Sequence, residues 1–367
     1  MTYEISAKRK GGDMTKTLAA LVALLAILAT ACGGGAGPGG AASSSPTQAA
    51  AGSPSATARA CCTKVVAAYS NISADDWIPW YAFEKGIFKD NGLDVDLQSI
   101  NGGAQTSAAL LSNSIQIGQF GGSEALSANA GGGDLVIVAN LAPVYPYKLY
   151  VQKNIKTIAD LKGGAGKRYK VGVSNAGGSS DIATRAVLKA AGIDPDKDVD
   201  IIAVGSHANR TAALLAGTID AGVDDPPEDL ELVKAGLTPL IDLASQKLPA
   251  ANTGVIMQRT YLSANKDTVQ AYVDSLTIAR LKMKSDKAGA VAVLGKYFKL
   301  DNQDALNNAY DFFMNEVTVP YLYPEVTQFK DAVEILGKTN DKIKTVDIAK
   351  MLDRTFMQSA QDRKLGG

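Results

Sequence analysis

From residue 64 onward, apolar positions follow two patterns in turn. Short Val-rich runs alternate with stretches spaced by three and four, and Gly, Ser and Asn mark the joins. The clearest unit begins at Tyr169–Val173, whose alternation predicts a strand. Residues 175–180 form a Gly/Ser/Asn loop, and Ser179, Ser180 or Asp181 can cap the helix that follows. Ile182, Ala186, Val187 and Ala190 fall at helical spacing, and Gly192 closes the run. Such a loop turns free N–H groups and the positive end of a helix dipole toward one pocket, where an anionic or carbonyl group can sit. An ordinary tight turn has the same pattern, so it is the repetition of the unit that gives it weight.

Strands are predicted over 64–69, from the Asn91-Gly92 turn through Leu97, and over 115–120 and 135–140. Helices are predicted between them over 78–85, 105–112 and from Gly121-Gly122-Ser123 through Ala130. A linking region follows over 141–160, and then the pattern restarts. Its second run has strands over 169–173, 200–204, 217–223 and 239–243, with helices over 210–216 and 230–235. A strand over 253–258 closes the alternation; beyond it 267–284, 288–298, 303–315, 325–336 and 346–360 show helical spacing only. Alternation of this kind predicts two α/β lobes, each a mainly parallel sheet with flanking helices, and a ligand cleft between them. Lobe I comprises 64–145 and 250–367, with the helical section packed on it, and lobe II comprises 146–249.

The N-terminal part has a different character. Lys8, Arg9, Lys10 and Lys16 precede the apolar run 18–28, and Ala29-Thr30-Ala31-Cys32 follows. A basic region, a short apolar core and small residues predict a signal peptide over 1–31, with translation starting at Met1 or Met14. The run is too short for a bilayer span. Residues 32–63 are nearly all Gly, Ala, Ser, Pro and Thr with little to bury, which predicts a disordered tether.

Composition narrows the function. The chain has 367 residues, 46% hydrophobic and 20% charged, enough for two domains with a sizeable core. Lys and Arg equal Asp and Glu in number, against the basic bias of a nucleic-acid binder. The cysteines are Cys32, Cys61 and Cys62; the adjacent pair is open to a vicinal disulfide or two thiols, and no Cys/His spacing points to a metal site. No cofactor is predicted.

The strand-to-helix loops supply the candidate ligand-binding residues. In the first lobe they are Ser73, Asp76, Trp77, Gly103, Gln105, Gly122 and Ser123, with Tyr145 at the crossing. In the second they are Asn175, Gly178, Ser179, Ser180, Arg210 and Asp225. Arg210 can clamp an oxyanion. Asp75, Asp76, Glu124, Asp224 and Asp225 instead favour a cationic or amine-bearing heterocycle, on which Trp77, Trp80, Tyr145 and Tyr147 can stack. His207 is the single histidine, and no Ser/His/Asp order or phosphate-loop lysine occurs, so no catalytic residue is predicted.

Four segments resemble a known family, the substrate-binding proteins of ABC importers in the nitrate, sulfonate, taurine and thiamine-pyrimidine-precursor branch. They are Lys85-Gly86-Ile87-Phe88 with Gly92-Leu93-Asp94-Val95, and Leu110-Leu111 with Ile115-Gln116-Ile117-Gly118. The others are Leu161-Lys162-Gly163 with Val171-Gly172-Val173 and Gly177-Gly178-Ser179-Ser180, and Arg210 through Ala221 ending at Pro226-Pro227. The resemblance implies a monomer that holds a small organic molecule between two hinged lobes and delivers it to a membrane permease and its ATPase. Ala29-Thr30-Ala31-Cys32 resembles a bacterial lipoprotein signal, which implies lipidation at Cys32 and anchoring outside the cell membrane, with plain secretion as the alternative. The rival readings are a ligand-sensing lipoprotein and an enzyme related to thiamine pyrimidine synthesis. Sulfonate-binding members of the family often carry Trp in the loop where this chain has Asp224-Asp225-Pro226-Pro227.

Overall fold

The computed structural model describes residues 62–367 except residue 165. The signal peptide over 1–31, the lipidation site at Cys32, Cys61 and the tether up to residue 61 lie outside the described residues.

Among the described residues, ten strands build two sheets of five. The first run of the chain gives β1 (Thr63–Tyr69), β2 (Leu93–Ser99), β3 (Ile117–Phe120) and β4 (Leu135–Val144). The second gives β5 (Lys148–Val151), β6 (Tyr169–Val173), β7 (Val199–Ala203), β8 (Ala221–Asp224) and β9 (Thr238–Asp242). The last is β10 (Pro249–Gln258).

The first sheet has the order β2-β1-β3-β10-β4 and the second β7-β6-β8-β5-β9. β1 lies parallel to β2 and β3, and β6 lies parallel to β7 and β8. The inserted strand is antiparallel to both neighbours: β10 to β3 and β4, β5 to β8 and β9. Both inserted strands arrive directly from the other sheet, so no crossover helix reverses their direction. The two sheets therefore repeat one plan, and the chain passes between them at residues 145–147 and again at 243–248.

β5 lies inside the stretch read from sequence as a linking region. It has four residues, and only Tyr145-Pro146-Tyr147 separates it from the end of β4, so its periodicity is too short to stand out. The helical spacing over 346–360 divides into helices Ile348–Met351 and Thr355–Asp362. Between them Leu352 bridges Ile137 of β4, and Asp353 N donates to Ile137 O at 3.0 Å.

Packing follows the patterns. Helix Lys266–Ser285 buries Val269, Tyr272, Val273, Leu276, Ala279 and Met283 along one stripe, against helix Trp77–Glu84. A second apolar cluster runs from Phe120 and Ile137 of the first sheet, through Tyr145 and Tyr147, to Val171 and Val223 of the second. Helix Lys330–Leu336 extends this join: it packs against helix Ser179–Ala190 of the second sheet, and Lys189 pairs with Glu334. The described residues belong to one compact unit.

Candidate functional site

The two sheets face each other across a cleft with two neighbouring spaces. The inner one is a cavity of about 50 Å³ whose walls come from the loops after β1, β2, β3, β6 and β7, from Tyr147 of the crossing segment and from the start of β10. The outer one is a chamber of about 620 Å³, lined by Ile72, Pro227, Leu230, Tyr297, Phe298 and Leu300 among others. Asn71 and His207 border both. Loops at the carboxyl ends of strands converge here because every crossover begins its helix on this side.

On the first-sheet side, Asp75 Oδ2 accepts from Thr253 Oγ1 at 3.0 Å and from Asn252 Nδ2. Its Oδ1, Oδ1 of Asp76 and Oδ1 of Asn252 are buried without a hydrogen-bond partner. Burial raises the Asp75 carboxyl, and the hydrogen bond from Thr253 offsets only part of that. Asp76 is pushed well above the ordinary range by burial and by the charge of Asp75.

On the second-sheet side, Arg210 is 2% exposed. Its Nη1 donates to Ser174 Oγ at 2.8 Å, its guanidinium lies over the Tyr147 ring, and its Nε has no partner. His207, at the start of helix His207–Leu215, forms a buried ion pair with Asp224 at the end of β8. Thr211 Oγ1 donates to the other oxygen of Asp224 at 2.7 Å. Burial alone would lower His207, but the charges of Asp224, Asp225 and Glu228 outweigh it and raise the ring to about 10. Burial would raise Asp224, and the His207 charge and hydrogen bond hold it below the ordinary range. Asp225, 1% exposed, is pushed well up by burial, and Glu228 is pushed up to about 7 for the same reason.

His207, Asp224 and Asp225 place ligand atoms within 4.8 Å of one another, the one such grouping among the described residues. Nε2 of His207 is already the partner of Asp224.

Seven residues predicted from sequence meet at the inner cavity: Ser73, Asp76, Gly103, Asn175, Ser179, Ser180 and Arg210. Ser180 Oγ accepts from Ser174 N at 2.9 Å, and Ser179 Oγ donates to Asn252 O at 3.0 Å across the cleft. Gly178 and Ser123 stand just behind the wall, against Glu124. Asp225 lies behind His207, with its Oδ1 3.5 Å from Nε2. The others are elsewhere. Trp77 is core: its Nε1 donates to Ala290 O at 2.9 Å and its ring packs on Tyr310 and Phe313. Gln105 is exposed on its helix, and Gly122 packs against Ala251 and Phe329. Tyr145 donates to Asp331 Oδ2 at 3.0 Å on the crossing segment. Trp77 and Gln105 sit at helix starts near the loops, but their side chains point into the core and into solvent.

Sequence reasoning missed Ser70, Asn71, Ser174, Asn252 and Thr253 on the inner wall and Tyr297, Phe298, Lys299, Leu300 and Asn302 on the outer one. Asn252 and Thr253 left a signal, two polar residues opening an apolar strand. The stretch after helix Lys287–Phe298 left none, because it reaches the cleft only through the packing of the helical section.

The model of the family described as NMT1/THI5 like matches residues 77–284. A putative binding protein of Bacillus subtilis, YtlA, is 26% identical over 220 residues, covering 58% of this chain and 64% of that protein. A putative aliphatic sulfonates-binding protein of Escherichia coli is 30% identical over 200 residues, 53% of this chain and 59% of that one. The chain thus spans less than two thirds of either relative's length. Among solved structures, the alkanesulfonate-binding protein SsuA of Xanthomonas axonopodis bound to MOPS superposes with a TM-score of 0.65 at 20% identity, covering 79% of this chain and 98% of that one. At that identity the likeness is one of fold.

Proposed function

The chain belongs to the NMT1/THI5-like family, and from that membership we propose that it is an extracytoplasmic solute-binding protein. It captures a small organic molecule between its two lobes, lobe I over 64–145 and 250–367 and lobe II over 146–249, and delivers it to the permease and ATPase of an ABC importer. It acts as a monomer without a cofactor or catalysis, held at the outer face of the membrane by a lipid on Cys32 and a tether over 32–63.

One observation carries this reading. The inner cavity is walled from both sheets, and its buried polar groups, Asp75, Asp76, Asn252 and Arg210, hold atoms without hydrogen-bond partners. Unpartnered buried polar atoms are costly, and a ligand that supplies partners recovers that cost.

The ligand follows from the balance of groups. The Escherichia coli relative is named for aliphatic sulfonates. In this chain Asp75, Asp76, Glu124, Glu228 and Glu231 line the two spaces, whose cations are His207, already paired, Arg210 and, in the outer chamber, Lys299. Carboxyl groups in that excess accept hydrogen bonds, so the ligand brings N–H donors: an amine, amidine or amino-heterocycle. Pockets for organic ligands measure roughly 300–1,000 Å³. The inner cavity, at about 50 Å³, holds only the donor head, and the body extends into the chamber of about 620 Å³.

A thermal-shift panel tests the proposal, with amines, amidines, pyrimidine amines, sulfonates, nitrate and carboxylates against a soluble form starting near Thr63. A ligand that binds the folded state alone raises the midpoint. A rise with the N–H-bearing class is expected. A rise with oxyanions alone would overturn the ligand class. A flat panel, with no small molecule released on denaturation, would overturn the solute-binding role.

A further inference from the structure

Three helices begin at the inner cavity: Gly103–Leu111, Gly122–Ala130 and, from the other sheet, Ser179–Ala190. None of the three has a side-chain cap on its first turn. Free N–H groups and the dipole of a helix start attract negative charge. Arg210 lines the same cavity, buried and with Nε unpartnered. Uncapped helix starts together with a buried guanidinium that has a spare donor make an anion seat.

At the three helix starts a group of the protein itself already stands. The Glu124 carboxyl rests against Gly103 and Gly121, so that a Cβ added to either would collide with it, and a Cβ on Gly178 would stand 3.0 Å from Oε1. Its side-chain hydrogen bond comes from Ser123 Oγ at 2.8 Å. The glycines of the loops after β2, β3 and β6 thus make room for a tethered carboxyl where sequence reasoning expected a bound anion or carbonyl.

We propose that Glu124 is the specificity-determining residue of the cleft: its carboxyl occupies the junction of the three helix starts, shuts out free oxyanions and accepts from an N–H of the ligand. This rests on the reading of the cleft as a solute site. It adds the residue that sets the choice and the class it rejects.

Titration calorimetry of the wild type, Glu124→Ala and Glu124→Gln tests it, with nitrate, methanesulfonate and methylammonium as probes. The wild type is expected to be indifferent to both oxyanions. Glu124→Ala empties the seat and gains methanesulfonate binding by about tenfold or more. Glu124→Gln keeps the seat filled and gains none. A wild type that binds either oxyanion as tightly as Glu124→Ala would overturn the proposal, as would a folded Glu124→Ala that gains nothing, or an equal gain in both variants. Should Glu124→Ala not fold, the wild type and Glu124→Gln decide: rejection of oxyanions by both supports occupancy, and binding by either refutes it. Failure of methylammonium to bind the wild type would count against the ligand class alone, because the oxyanion gain is read separately.

Discussion

His207 and Asp224 form a buried ion pair that ties the start of helix His207–Leu215 to the end of β8. Desolvating both charges is costly, and removing one partner strands the other, a loss of about 3–5 kcal/mol. His207→Gln is therefore expected to lower stability by that order, as read from urea unfolding midpoints.

The pair also sets a pH dependence. His207 is raised from 6.5 to about 10, so the folded chain binds this proton more tightly than the unfolded one. Its stabilisation is full below about 6.5 and is lost as pH rises through about 10. The gap in unfolding midpoint between wild type and His207→Gln should close across that window. A gap that stays constant to pH 10.5 would mean that the ring is not held protonated.

Glu228 lines the outer chamber and is pushed up to about 7 by burial. Below that pH it is a neutral acceptor, and above it a carboxylate. Affinity for a permanently cationic probe should rise as pH increases from 6 to 8, and Glu228→Gln should flatten the profile. Glu228 also binds its proton more tightly when folded, so the stability it contributes falls as pH rises from 4.5 through about 7.

Asp75 accepts from Thr253 and Asn252 with one oxygen and leaves the other without a partner. Asp75→Asn removes the charge and keeps the shape. An amine ligand should lose about 1.5–3 kcal/mol of binding, the worth of a hydrogen bond to a charged group. Calorimetry reads this directly, and an unchanged dissociation constant would remove Asp75 from the site.

Trp77 makes the opposite case. It is fully buried, with its indole N–H bound to Ala290 O. Trp77→Phe keeps most of the packing but strands that carbonyl, at a cost of about 1–3 kcal/mol. Stability should fall while ligand affinity in the folded protein stays within twofold.

The periodicities carried the fold a long way. Tyr169–Val173 is a strand as predicted, and the restart of the pattern after residue 160 marks a second sheet built on the plan of the first. What they could not carry was direction and distance. β5 and β10 run against their neighbours because they enter from the other sheet, and no local pattern encodes the sheet from which a strand arrives. For the site, loop positions were legible because glycine and serine mark strand-to-helix turns. Which side chains enter the cavity was not: Trp77 and Ser73 are four residues apart, yet Ser73 lines the cavity and Trp77 faces the helix Lys287–Phe298. Glu124 was visible as an acidic loop residue, but its seat among three glycines from two sheets exists only once the sheets face each other.

The most direct test of the account is a calorimetric titration of the wild-type protein with an amine and with its alcohol isostere. The account predicts one site per chain and a preference for the amine of about tenfold or more, since only the ammonium supplies charged donors to the buried carboxyl groups. Equal affinity for the two, or tighter binding of a sulfonate than of the amine, would contradict it.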